Sequence, residues 1–160
     1  MPKSFEGDYT LPSSITTIVG GAFVNCKGLT SISISNNVTS IGDGAFSGCD
    51  KLTEPLYNDK IFAYMPKTYE GDYIIPSSIS SIVGGAFLVC DKLTSVIIPT
   101  GVKYINNGTF EGCKSLSSIS IRKPSVNPVL WDSIRYSEKV GEILVDVGGI
   151  SKILGKSLRL

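Results

Sequence analysis

Cys26-Lys27-Gly28-Leu29-Thr30-Ser31-Ile32-Ser33-Ile34-Ser35-Asn36-Asn37-Val38-Thr39-Ser40-Ile41-Gly42-Asp43-Gly44-Ala45-Phe46-Ser47-Gly48-Cys49 is the stretch that decides how this chain folds. Ile32 and Ile34 alternate with polar neighbours, as a half-buried strand requires. Val38 and Ile41 form a second short apolar segment after a turn at Asn36-Asn37. Ala45-Phe46 then suits a tight or short helical return, with Ala allowing close approach and Phe filling the interior. The pattern recurs in Cys90, Leu93, Val96, Ile98, Val102, Ile105, Gly108, Phe110 and Cys113. Phe23 and Phe46 are 23 residues apart, as are Phe87 and Phe110. On a larger scale, residues 1–52 align with residues 65–116 at an offset of 64 without a gap, and 29 of 52 positions are identical. A period in the twenties marks a solenoid of stacked coils, each burying its apolar face only against its neighbours.

These blocks, Leu-x-x-Ile-x-Ile followed by Ile-Gly-x-x-Ala-Phe-x-x-Cys, resemble the BspA-like group of leucine-rich repeats. The resemblance covers about residues 9–121. Val19-Gly20-Gly21-Ala22-Phe23 and Val83-Gly84-Gly85-Ala86-Phe87 are altered forms of the glycine block, Asn106-Asn107-Gly108-Thr109-Phe110 departs further, and Ser35 replaces the proline seen at Pro99. The fold expected is mainly β with short helical or 3-10 segments: a leucine-rich-repeat solenoid of roughly 23-residue coils. It spans residues 1–121, with a β-hairpin insertion at about 54–73 and a C-terminal capping segment at 122–160.

Between Phe46 and Phe87 the spacing stretches to 41 residues. Asn58-Asp59 lies there between two β-prone runs, which predicts a hairpin over residues 56–64. Residues 67–73 then lead into the next coil at Ile74-Ile75-Pro76. After Ile121 the pattern stops. Asn127-Pro128 suggests a helix start that would turn Trp131 and Ile134 inward. Residues 142–147 read as a strand and residues 150–158 as a short helix.

Composition narrows the function classes. Net charge is +1 and the basic residues are scattered, so neither nucleic acid nor an anionic membrane is an expected partner. No window approaches the apolar length of a membrane span, and the N-terminus lacks a signal-peptide layout. Met1-Pro2-Lys3 matches Met65-Pro66-Lys67, in the middle of a connection, so a fragment of a longer array is the expected origin of the chain. A naturally incomplete first coil is the alternative.

The chain has no His, which removes the commonest general base, and it has no Gly-x-Ser-x-Gly elbow. Cys26, Cys49, Cys90 and Cys113 share one repeat position, so they should form a column of buried thiols about 5 Å apart, the spacing of adjacent strands. A column spreads ligands along a line and suits neither a tetrahedral metal nor an easy disulfide. Gly42-Asp43-Gly44 and Gly155-Lys156-Ser157 are incomplete nucleotide-binding motifs. Asp8, Glu54, Asp72 and Glu111 read as solvated charges in turns or insertions. Asn37 and Asn107 begin glycosylation sequons. No catalytic residue, metal or cofactor is expected.

What remains is surface. With Leu29, Ile32 and Ile34 facing inward, Thr30, Ser31 and Ser33 face out, followed by Thr94, Ser95 and Ile97, then Ser117, Ser118 and Ser120. This face is either a low-relief contact surface or simply an exposed sheet made of residues that resist aggregation. Tyr57, Phe62 and Tyr64 in the insertion are a second candidate, either at an interface or buried against the preceding coil. The family resemblance implies a non-catalytic recognition or adhesion module that binds protein or glycan and belongs to a cell-surface or secreted protein. The alternatives are an intracellular scaffold or effector, and a repeat segment flanking an enzyme domain.

Overall fold

The structure is a computed structural model. It describes residues 2–102, 105, 108–121, 142–147 and 150–155, with side chains as far as residue 120. These residues form a mainly β solenoid of about five turns, whose spacing of roughly 23 residues is that of the sequence repeat. Each coil starts with a strand on one face. Coil 1 has β1 (Glu6–Thr10), coil 2 has β3 (Gly28–Ser33), coil 4 has β7 (Gly71–Ile74) and coil 5 has β9 (Leu93–Ile98). The chain then turns to a second, shorter strand: β2 (Thr17–Ile18), β4 (Ser40–Ile41) and β8 (Ser81–Ile82). Equivalent strands pair in parallel, β1 with β3, β2 with β4 and β7 with β9, and Ile105 bridges to Ile82. The fourth coil's strand opens at Gly71, before the Ile74-Ile75-Pro76 at which the sequence places the new coil.

The spacing Leu-x-x-Ile does not fit a strand of period two unless one extra residue is inserted. A bulge supplies it. Gly7 pairs with Leu29 but Asp8 with Ser31, which leaves Thr30 as the extra residue; Gly71 and Asp72 treat Thr94 in the same way. The local kink lets Leu29 and Ile32, or Leu93 and Val96, all turn into the core.

The return segments are runs of consecutive turns rather than helix. In the first, Ala22 N–H donates to the Val19 carbonyl at 3.1 Å, Val24 to Gly21 at 3.0 Å and Cys26 to Phe23 at 3.1 Å. Among the described residues no helix occurs. Inter-coil bonds claim the backbone instead: Phe23 N–H donates to Ala45 O at 2.8 Å and Phe87 N–H to Thr109 O at 3.0 Å. Gly42 is required here, because a Cβ on it would overlap the backbone of Gly20 in the coil below. Two return positions adopt a left-handed φ in each long coil: the first is always glycine, at Gly21, Gly44, Gly85 and Gly108, and the second varies, at Asn25 (58°), Gly48 (77°), Val89 (61°) and Gly112 (73°). Val89 is a β-branched side chain at a position suited to glycine.

The core is a ladder of equivalent side chains. Phe23 stacks on Phe46 at 5.0 Å, Phe62 on Phe87 at 4.9 Å and Phe87 on Phe110 at 5.0 Å. Phe46, Phe62, Phe87 and Phe110 are fully buried.

The hairpin expected between Phe46 and Phe87 is present: β5 (Leu56–Tyr57) pairs antiparallel with β6 (Ile61–Tyr64), which pairs in parallel with β8. It is not an appendage. It forms coil 3, a shortened layer in which Phe62 takes the place of the ladder phenylalanine. Asn58 closes its turn. Buried Nδ2 donates to Val38 O at 2.9 Å and to Ser35 O at 3.3 Å in coil 2, while Oδ1 accepts from the amides of Ile61 at 2.8 Å and Lys60 at 3.0 Å.

At the C-terminal end, β10 (Ser118–Ile121) joins β9, β11 (Glu142–Val147) joins β10 in parallel, and β12 (Ile150–Gly155) pairs antiparallel with β11. The strand expected at 142–147 is therefore present. The short helix expected from residue 150 is corrected to a strand, because Val147 and Ile150 are paired as the ends of a hairpin. Gly148-Gly149 between two apolar runs is the sequence signal for it. The helix start at Asn127-Pro128, with Trp131 and Ile134, lies outside the described residues, as does Asn107.

Candidate interaction surface

The outer face of the strand column carries the candidate residues, but not as one sheet. β3 does not pair with β7. The face divides into a two-stranded patch, β1–β3, and the sheet containing β7, β9 and β10, with coil 3 between them. Thr30, Ser31 and Ser33 lie exposed on the first patch. On the second, the register sets Asp72, Ser95 and Ser118 in one row and Ile74, Ile97 and Ser120 in the next. Ser117 Oγ donates to Thr94 O at 3.1 Å, tying those two candidates together. Neighbours within such a row lie about 4.8 Å apart, the spacing of adjacent strands. Ile74 is 68% exposed and was not among the residues picked out from sequence. Its counterpart on the first patch is Thr10, which makes the second patch the more apolar of the two.

The aromatic candidates separate. Tyr57 is 44% exposed and stacks on Phe62 at 5.9 Å. Phe62 and Tyr64 are buried and leave the candidate surface. The ring of Phe62 is needed to continue the ladder, and Tyr64 Oη donates to Cys49 O at 3.1 Å. Burial raises the Tyr64 phenol well above its ordinary value. Tyr73, half-buried beside Phe62, is pushed up to about 12, again mainly by burial.

Asp8 and Asp72 are not turn residues. They lie in β1 and β7, opposite the bulges. Thr30 Oγ1 donates to Asp8 Oδ1 and Thr94 Oγ1 to Asp72 Oδ1, each at 2.6 Å. Hydrogen bonds from Thr30 and then Ser31 hold the Asp8 carboxyl below its ordinary range, and those from Ser95 and then Thr94 do the same for Asp72. The exact recurrence of Gly-Asp-Tyr at positions 7–9 and 71–73 is the sequence signal for this device. A carboxyl whose pKa is lowered by folding stabilises the fold above the unfolded pKa, and that contribution fades as pH falls through the lowered value. The double variant Asp8→Asn/Asp72→Asn should therefore be less stable than the parent near neutrality. The gap should close as pH drops below about 4, the ordinary range of Asp. Thermal melts across the acid range check this, and a gap of constant size would remove the carboxylates from the account.

The cysteines are buried and free, and their column is interrupted. Cys49 Sγ donates to Phe23 O at 3.1 Å and Cys113 Sγ to Phe87 O at 3.0 Å, each reaching the coil below. Cys90 instead faces the carbonyls of Met65 and Pro66 at 3.7 and 3.8 Å, so coil 3 separates it from Cys49. Burial, then the neighbouring Cys26, pushes Cys49 up to about 12. The hydrogen bond to Cys113, then burial, raises Cys90 further. The same hydrogen bond from Cys90 lowers Cys113. Cys49 and Cys90, held protonated, are poor nucleophiles and poor metal ligands. Among the described residues no group of three or more His, Cys, Asp or Glu is placed to hold a metal.

A concavity lies where coil 3 is short. β4 pairs with β2 and β6 with β8, but β4 and β6 do not pair, which leaves a cleft of about 480 Å³. Ser40 and Ile41 line one side, Ser80 and Ser81 the other, and Asp59 and Lys60 of the hairpin turn the rim. Its wall is mixed, with hydroxyls beside Ile41 and Ile61. Among the described residues, no helix is long and apolar enough to cross a membrane.

A model of the BspA type leucine rich repeat region, in 6 copies, matches residues 5–72 and 58–129. No curated protein matches the chain. Among solved structures, it is similar to a leucine rich cell surface protein from Faecalibacterium prausnitzii A2-165, with 27% identity and a TM-score of 0.57 over 84% of this chain and 36% of that one. The T. pallidum leucine rich repeat protein is 26% identical over 82% of this chain and 83% of that one, with a TM-score of 0.47. A leucine-rich repeat protein from Bacteroides ovatus ATCC 8483 is 24% identical over 72% of this chain and 41% of that one, at 0.44. This chain thus spans little more than a third of the Faecalibacterium protein, 36% of its length. With its 23-residue coils, its phenylalanine ladder and a family model matching most of its length, the chain belongs to the BspA-type leucine-rich repeat family.

Proposed function

We propose that this chain is a non-catalytic recognition module that binds a protein or glycan partner through the outer face of β7, β9 and β10, as part of a cell-surface protein. The observation that carries this reading is Ile74. It is an isoleucine exposed to 68% beside Ile97, on a rigid grid of hydrogen-bonding side chains from Asp72, Thr94, Ser95 and Ser118. Ile74, at the end of the edge strand β7, and Ile97 form an apolar corner beside polar groups, and binding patches combine apolar and hydrogen-bonding contacts in this way. The strand ladder holds this corner in place before a partner arrives, which lowers the entropic cost of association. The likeness to a leucine rich cell surface protein from Faecalibacterium prausnitzii supports the proposed location. A scaffold inside the cell is a second reading, favoured by the four cysteines being free thiols.

Immobilised chain should capture its partner from glycan arrays or from extracts of neighbouring or host cells. Ile74→Lys should weaken that capture by about tenfold or more if Ile74 is an anchor, with the melting temperature unchanged. Undiminished capture by the variant would move the binding surface elsewhere. Protease treatment of intact producing cells separates the two locations, because only a surface protein is cleaved.

A further inference from the structure

The cleft beside β4 opens on backbone groups of a kind that the solenoid pairs in its neighbouring layers. In coil 1, Thr16 O accepts from the amides of Thr39 at 2.8 Å and Ser40 at 3.4 Å, and Ile18 O accepts from Gly42 at 2.8 Å. In coil 3, Lys60 O and Phe62 O accept in the same way from Ser80, Ser81 and Val83 of coil 4. Thr39 and Ile41 hold the matching places in coil 2, 23 residues after Thr16 and Ile18. There β4 pairs with β2 alone, so no strand covers its other edge. Among the described residues, no backbone amide donates to Thr39 O. The hairpin turns its facing groups on itself: Ile61 N–H donates to Asn58 Oδ1 at 2.8 Å, and Ile61 O accepts from the Asn58 amide at 3.0 Å.

Around this edge the wall is amphipathic and its charge is balanced. Hydroxyls of Thr39, Ser40, Ser80 and Ser81 stand beside the aliphatic side chains of Ile41 and Ile61. The rim carries one carboxylate, Asp59, and one ammonium, Lys60, so its field favours neither an anion nor a cation. The width excludes an added strand. Cα atoms of β4 and β6 come within 8 Å of one another. Inserting a strand between two others needs about 9.6 Å, twice the usual spacing. The cleft, at about 480 Å³, falls in the range of roughly 300–1,000 Å³ for small-ligand pockets.

We propose that this cleft is a binding site for a neutral mono- or disaccharide, whose hydroxyls meet Thr39 O and the unpaired edge of β4 while a C–H face of the ring rests on Ile41. A parallel strand edge offers carbonyl and amide groups in turn. A sugar hydroxyl both donates and accepts, so neighbouring hydroxyls satisfy either kind. Ser80 and Ser81 of coil 4 face the same ligand from the far wall, so a bound sugar bridges coils 2 and 4 across the short layer. The site lies apart from the outer face of β7, β9 and β10 and does not depend on the ligand-binding reading above.

The test is an amide NMR titration of the full chain with glucose, galactose, N-acetylglucosamine, maltose and lactose at millimolar concentration. Sodium phosphate and tetraglycine serve as the charged and peptide probes. At least one sugar is expected to shift the Ile41, Lys60 and Ser81 amides together and to saturate. Ser40→Trp fills the cleft from an exposed position and should weaken that binding by roughly tenfold or more, with the melting temperature unchanged. Lys60→Trp, also at an exposed position, closes the mouth from the hairpin side and takes the place of Ser40→Trp if that variant unfolds. The proposal is overturned if no sugar shifts these amides, or if the shifts persist undiminished in a folded variant. Phosphate or tetraglycine binding at least as tightly as every sugar would overturn it too, assigning the cleft to an anion or a peptide.

Discussion

Phe87→Ala is expected to lower the unfolding free energy by about 3–5 kcal/mol, the range for deleting a buried aromatic ring. Phe87 is fully buried between Phe62 and Phe110, at 4.9 and 5.0 Å, so a ring removed there leaves a void with aromatic walls on both sides. The walls cannot easily collapse, because each ring is fixed by backbone bonds to the next coil: Phe87 N–H to Thr109 O, and Phe62 O to the amide of Val83. Loss of packing should also spread. A solenoid is stabilised by nearest-neighbour interfaces, so a defect between coils 3 and 5 divides the stack in two. Urea unfolding measures the cost. A change below about 1 kcal/mol, well outside that range, would contradict the in-register ladder on which the fold rests.

Asn58→Leu is the second large expected effect, at about 2–4 kcal/mol, because it strands several partners at once. The side chain is buried and makes four bonds. Two of them cross to the carbonyls of Ser35 and Val38, and two close its own turn through the amides of Lys60 and Ile61. Leu keeps the branched shape and offers neither donor nor acceptor, so all four bonds are lost together. The neighbour Asp59 supplies the control. It is exposed, and its carboxylate meets only the Asn36 amide among the described residues, so Asp59→Ala should cost no more than about 0.5 kcal/mol. Equal costs for the two substitutions would show that Asn58 does not tie coil 3 to coil 2.

Much of this architecture was legible in the residues. Leu29, Ile32, Phe46 and their equivalents recur at a fixed spacing because each layer must present the same shape to the next, so period and burial follow from one constraint. The hairpin at Asn58-Asp59 was also legible, from turn chemistry between two β-prone runs. The bulges at Thr30 and Thr94 were not, although the Leu-x-x-Ile spacing implies an extra residue. Their consequence, the capture of both threonines by Asp8 and Asp72, needs the offset between neighbouring strands. The return segments read equally well as turn or short helix, since Ala-Phe suits both; inter-coil bonds from the amides of Phe23 and Phe87 resolved that choice.

The sequence by itself determined that this is a stack of coils, which side chains fill it, and that a shortened layer interrupts it. Only the tertiary structure decided where the surface lies. Phe62 and Tyr64 look like Tyr57 in the sequence, yet two are core and one is exposed, because coil 3 enters the stack as a layer of its own. The same layer splits the hydroxyl-rich face, parts the cysteine column and opens the cleft beside β4. Side-chain burial in a repeat is a property of the neighbouring coil, and a period shows that a neighbour exists without giving its shape.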